Sequence, residues 1–228
     1  MNTSNILIAG DSWGRGEWNK NLKVVHQGLE KYLQHAGHNV TNVSKPGGTL
    51  EEIHDIIKSQ NLSLYDIVFV FVTDTNRSVT KKYTQQENFF KLDPFCKETI
   101  IQRHNTVLTN FLNDLDNLDK EMYLLGGLSN IIDIKCKNVK VAIPSILRLI
   151  LPEVAKNYEF FFHLGNRYQS NIDRDTIDWM WEQNNIWESV QTSKYFQGDG
   201  WHPNRKAHKI IYKYLEKNII KKQLTLTK

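Results

Sequence analysis

The chain has 228 residues, 40% of them hydrophobic and 24% charged, with a formal net charge of +4. Those totals are ordinary for a soluble globular protein and give enough chain to bury one substantial core, so a single domain over residues 1–228 is expected. The positive excess gathers in "KNIIKKQLTLTK" and in "IKCKNVK" (134–140), runs that read as solvated faces, and no nucleic-acid partner is expected from them.

Cys96 and Cys136 stand in no C-x-x-C arrangement and no histidines cluster, so a reduced pair is expected and no metal site. The segment "MNTSNILIAG" lacks the basic start and the long apolar run of a secretion signal. No apolar stretch approaches the ~20 residues that cross a bilayer. A cytoplasmic protein without a membrane span is the expectation.

In chain order, residues 5–9 form an apolar run ending at glycine, which suits a buried parallel strand. Leu22, Val25, Leu29 and Leu33 recur at helical spacing, with Gly37 as a C-terminal stop. Residues 38–44 read as a second strand. Thr49 then caps a helix through "LEEIHDIIKSQ", with Glu52 at capping-box distance. "YDIVFVFVT" (65–73) is the strongest strand signal, continuous and β-branched, and is predicted to be central. A helix from Lys97 to Asp116 follows, then strands at 122–127 and 139–143. Alternation of strand and helix predicts an α/β protein, a three-layer α/β/α sandwich around a mostly parallel sheet of about five strands.

The second half has weaker periodicity. Residues 77–96 have no clean period and read as a lid or insertion, while 176–190 reads as a tryptophan-rich helix. The last element is an amphipathic helix with Pro203 at its first position and a stripe of Ile210, Ile211, Tyr214, Leu215 and Ile219.

In an open parallel sheet the loops leaving the strands' carboxyl ends share one edge, and sites are built there. "GDS" (10–12) follows the first strand, "GG" (47–48) the second and "TDTNR" (73–77) the third, while "GDGWHPN" (198–204) precedes the last helix. A helix cap explains "GDS" as well as a nucleophile does. Thirteen aspartates and eight histidines give about half a chance match to D-x-x-H in a chain of this length, so the spacing of Asp199 and His202 proves little alone. The chemistry they fit is specific, however. A serine hydroxyl needs an imidazole as general base, and the imidazole needs an acceptor on its other nitrogen. The oxyanion that forms needs preorganised N–H donors.

Four blocks, "GDS" (10–12), "NVSKPGGT" (42–49), "TDTN" (73–76) and "DGWHPN" (199–204), resemble in content and order the signature blocks of the SGNH (GDSL-type) hydrolase superfamily. The resemblance implies an SGNH/flavodoxin-like fold and a cofactor-independent activity. It implies Ser12 as nucleophile, His202 as base and Asp199 as its orienting acid. It also implies an oxyanion hole from the backbone N–H groups of Ser12 and Gly47 and the side chain of Asn76. The third block departs from the family's G-x-N-D: Asp74 replaces the glycine and Arg77 follows Asn76. Arg77 fits either an ion pair with Asp74 or a site for an anionic acyl group. Trp13 and Trp201 adjoin the implied nucleophile and base and fit either a substrate pocket or the core.

The leading expectation is a serine hydrolase (an esterase, thioesterase or O-acyl esterase) acting on a small-molecule, glycan or lipid acyl ester. The alternative is a catalytically weak or inactive SGNH-like binding or structural module. "AGDSWGRGEW" also resembles SGNH-like proteins encoded by tailed phages.

Overall fold

In a computed structural model of the chain, the described residues are 3–72, 106–127, 131, 134–157 and 190–226. Five strands form one parallel sheet: β1 (Asn5–Gly10), β4 (Asn39–Asn42), β5 (Ile67–Val72), β6 (Met122–Gly126) and β7 (Val139–Ile143). Their spatial order is β4-β1-β5-β6-β7. Every pair is parallel, with Ile6 opposite Val40 on one side and Ile67 on the other. Taking these five strands alone, the order is second, first, third, fourth, fifth, the flavodoxin-like arrangement. The predicted central strand is central, with all six residues of β5 buried.

A strand covered on both faces must be apolar along its length; β5 and β6 are buried at every position, and β1 at every position after the exposed Asn5. Successive side chains divide between two cores. On one face Ile6, Ile8, Phe69, Phe71, Tyr123 and Leu125 meet Leu29 and Leu33 of α2 (Leu29–His35). They also meet Ile146 and Leu147 of α5 (Ile146–Ile150) and Ile211 and Leu215 of α7 (Arg205–Leu215). On the other, Leu7, Ala9, Val68, Val70 and Leu124 meet Leu50, Ile53 and Ile57 of α3 (Leu50–Lys58) and Phe111 and Leu115 of α4 (residues 106–116). The three layers expected from the sequence are present.

The capping box forms as predicted: Thr49 Oγ1 accepts from Glu52 N at 3.3 Å while Glu52 Oε2 accepts from Thr49 N at 2.9 Å. Two further short helices are α6 (Pro152–Asn157), which follows α5, and α8 (Lys221–Leu226), which continues α7 after a π-helical turn at Glu216–Ile220. Among the described residues no helix is long and apolar enough to cross a membrane.

Two expectations change. Leu22 and Val25 are not on a helix; they are 67% and 48% exposed, in an antiparallel ribbon of β2 (Glu17–Trp18) and β3 (Val24–His26). Asn19 Oδ1 closes the ribbon by accepting from Asn21 N and Lys23 N, both at 3.0 Å, and Leu22 takes a positive φ of 54°. A side-chain acceptor there stabilises a turn against helix. Pro203 precedes the N-cap of α7, which is Asn204, and is not its first residue. The segments 77–96, 97–105 and 176–189 lie outside the described residues.

Candidate active site

The sheet order reverses beside β1: the chain leaves β1 for β4 on one side and returns to β5 on the other. The crevice beyond the carboxyl ends of such strands is where open α/β sheets place ligands. β1 ends there at Gly10, with φ +130°, where an added Cβ would lie 2.4 Å from the Phe71 carbonyl oxygen. Only glycine fits so close to a neighbouring backbone.

Asp11 is the N-cap of the one-turn helix α1 (Ser12–Arg15), its Oδ1 accepting from Trp13 N at 3.0 Å. The cap and the candidate nucleophile are therefore different residues. Ser12 stands at the first helical position, 6% exposed, where a backbone N–H has no partner within the helix.

The second element is the loop before α7. Asp199 Oδ1 accepts from Trp201 N at 2.9 Å and His202 N at 3.0 Å, while Oδ2 meets His202 Nδ1 at 2.5 Å. Two backbone donors thus hold one carboxylate oxygen and aim the other at the ring. The Asp199 side chain is 3% exposed and that of His202 16%. With Nδ1–H turned to the carboxylate, Nε2 is the basic nitrogen of the neutral ring. Asn204 anchors this loop. Its N–H donates to Tyr195 O and its Nδ2 to Lys194 O, both at 2.8 Å, while Oδ1 caps α7 through Lys206 N and Ala207 N.

Two tryptophans join these elements. Trp13 Nε1 donates to Trp201 O at 3.1 Å, with its ring 5.5 Å from Phe196. Trp13 is 2% exposed and packs in the core, whereas Trp201 is 50% exposed beside His202. Trp18, which the sequence reading missed, donates from Nε1 to Ser12 O at 3.1 Å, and its ring centroid lies 5.0 Å from that of His202. Among the described residues no direct hydrogen bond joins Ser12 Oγ to His202; Trp18 is the side chain that touches both residues.

The second block extends the pairing past β4: Val43 N donates to Ile8 O and Lys45 N to Gly10 O, both at 2.8 Å. This carries the glycine turn along β1 toward Ser12. Gly48 N donates within the turn to Lys45 O at 3.0 Å, so of the two glycines Gly47 is the one whose N–H is not engaged in that turn bond. Asn42 ties the block to α1, with Nδ2 donating to Gly14 O and Glu30 Oε2 and Oδ1 accepting from Ser44 N, each at 3.0 Å. Asp74, Asn76 and Arg77 lie outside the described residues.

Beneath the loop, His208 of α7 is fully buried against Gly28. Its nitrogens face the backbones of Gly16 and Pro203 without a well-formed hydrogen bond. Burial, reinforced by the nearby His26, pushes its pKa down to about 3. It is a neutral ring wedged between the two candidate site segments. Among the described residues no three metal-binding side chains converge.

No family model and no curated protein matches the chain. Solved structures similar to it include a lipase from a goat rumen metagenome, at 12% identity and a TM-score of 0.49, over 94% of this chain and 96% of that one. A family 3 carbohydrate esterase from Clostridium thermocellum is 14% identical, with a TM-score of 0.47 over 99% of both chains. A protein from Desulfitobacterium hafniense described as lipolytic and of the G-D-S-L family is 11% identical, with a TM-score of 0.46 over 94% of this chain and 98% of that one. At such identities and scores the likeness carries no chemistry, which has to come from the side chains.

Proposed function

We propose that the protein is a cofactor-independent serine ester hydrolase of the SGNH type, acting on an acyl ester through an acyl-enzyme. Ser12 Oγ attacks the acyl carbonyl as its proton passes to His202 Nε2, and Asp199 stabilises the resulting imidazolium through Nδ1–H. The oxyanion draws on the backbone N–H groups of Ser12 and Gly47, with the amide of Asn76 as the third donor. Collapse expels the alcohol, protonated by His202, and leaves the acyl group on Ser12. Water activated by the same imidazole then releases the acid. Trp201 offers a half-exposed ring beside the base for an acyl or sugar group, and Arg77 a charge for an anionic one.

The observation that carries this reading is the Asp199–His202 pair. A buried carboxylate held by two backbone N–H groups and turned onto an imidazole at 2.5 Å is the arrangement that the acid and base of a catalytic triad require, and it supports this reading. A structural ion pair needs no such fixed tautomer.

Turnover of a short-chain p-nitrophenyl ester tests it. Ser12→Ala and His202→Ala are each expected to lose about 10³-fold or more in kcat/KM with folding intact. Wild-type rates in both variants would contradict the proposal and favour a binding module on the same scaffold.

A further inference from the structure

We infer that Trp18 is the positioning residue that sets the base against the nucleophile turn; this rests on Ser12 and His202 being nucleophile and base. One rigid planar side chain makes both contacts. Its indole N–H donates to the Ser12 carbonyl at 3.1 Å, and its ring packs against the His202 imidazole with centroids 5.0 Å apart and planes tilted by 30°.

Each contact has a local reason. α1 is a single turn, so the Ser12 carbonyl has no following turn of helix to accept from, and the indole supplies the donor. His202 is fixed at Nδ1 by Asp199, a bond that still leaves the ring free to swing about that edge. A ring packed against it restricts this freedom, at a centroid separation of 5.0 Å, within the range of aromatic pairs.

Trp18 is itself held to the base loop from both sides. The preceding Glu17 receives Arg205 Nε at 2.7 Å and Arg205 N at 3.3 Å on Oε2, at the start of α7. The Trp18 carbonyl oxygen packs so closely on Gly198 that a Cβ there would lie 2.5 Å away. The ribbon therefore clasps the loop at Gly198 and Arg205, with His202 between them beside the indole. A tryptophan serving only as core filler needs neither a bond to the Ser12 carbonyl nor a ring contact with the imidazole.

The test compares Trp18→Leu and Trp18→Phe with the wild type, using p-nitrophenyl ester turnover and the rate of fluorophosphonate labelling at Ser12. Misplacement of a reacting group by about 1 Å costs on the order of 10²-fold, so Trp18→Leu is expected to lose about that in kcat and in labelling rate, with KM within about twofold. Trp18→Phe keeps an aromatic ring against the imidazole and is expected to recover at least about tenfold of that loss. Wild-type kcat in both variants overturns the inference. So does a loss in Trp18→Phe as large as in Trp18→Leu, or one that appears in KM instead of kcat. If Trp18→Leu does not fold, Trp18→Phe decides by the same criterion: a kcat within about tenfold of wild type supports the role, and a loss of about 10²-fold overturns it. Ser12→Ala is run alongside. Full turnover in that variant defeats the hydrolase reading itself, and wild-type behaviour of the Trp18 variants beside a dead Ser12→Ala defeats only the positioning role.

Discussion

Asp11 and Ser12 are both residue types that cap helices, and the structure gives that task to Asp11. The carboxylate of Asp11 receives Trp13 N, so the capping role does not fall to the Ser12 hydroxyl. A quoted "GDS" carries no sign of which residue does the capping, since either side chain reaches a second- or third-residue N–H. His208 was also opaque in the sequence, where it was one more histidine on an amphipathic helix. Its complete burial makes it a pH-sensitive element of stability. The folded pKa is about 3 against 6.5 in the unfolded chain, so between those values the unfolded state binds a proton that the folded state refuses. Its share of stability is intact above about pH 6.5 and falls with decreasing pH by up to ~1.4 kcal/mol per unit. Burial lowers the pKa of His26 and His38 as well, which acts in the same direction. Denaturant unfolding at pH 7 and pH 5 should show wild type losing about 2 kcal/mol more than His208→Leu over that interval. Equal losses in the two proteins would remove His208 from this role.

At the scale of elements, the strands and α3 were readable because their signals are local. β5 is a continuous apolar β-branched run and proves central; Thr49 and Glu52 sit three apart and form their capping box. The β2–β3 ribbon was not readable. Leu22, Val25, Leu29 and Leu33 satisfy a helical period, yet only the last two are buried, and the turn at Asn19 overrides the pattern. Trp18 was missed for a related reason: its partners are distant in sequence, and no spacing rule connects a tryptophan on a two-residue strand to a histidine before the last helix. The loop carrying that histidine depends on one side chain. Asn204 both caps α7 and fastens the loop to Lys194 O, so Asn204→Ala is expected to cost about 1–3 kcal/mol by thermal or denaturant unfolding. Because Asp199 and His202 ride on that loop, kcat should fall with it. Unchanged stability in Asn204→Ala would show that the loop is held elsewhere.

At the scale of the whole molecule, the parallel order places the carboxyl end of β1 at the point where the chain reverses its direction across the sheet. The Ser12 turn, the Gly47 turn and the Asp199–His202 loop are linked around that end through Trp13, Trp18 and Asn42. The order of the four blocks was visible in the sequence, because strand and helix alternate with clear periods; the contacts that link the first, second and fourth blocks were not, because each spans separate elements. The central proposal built on those contacts is that Ser12 is a nucleophile activated by His202. The most direct measurement is intact-mass and peptide mapping after reaction with a fluorophosphonate. One adduct per chain at Ser12 is predicted, forming at least about 10²-fold more slowly in His202→Ala. No adduct, an adduct at another residue, or equal labelling rates in the two proteins would contradict it.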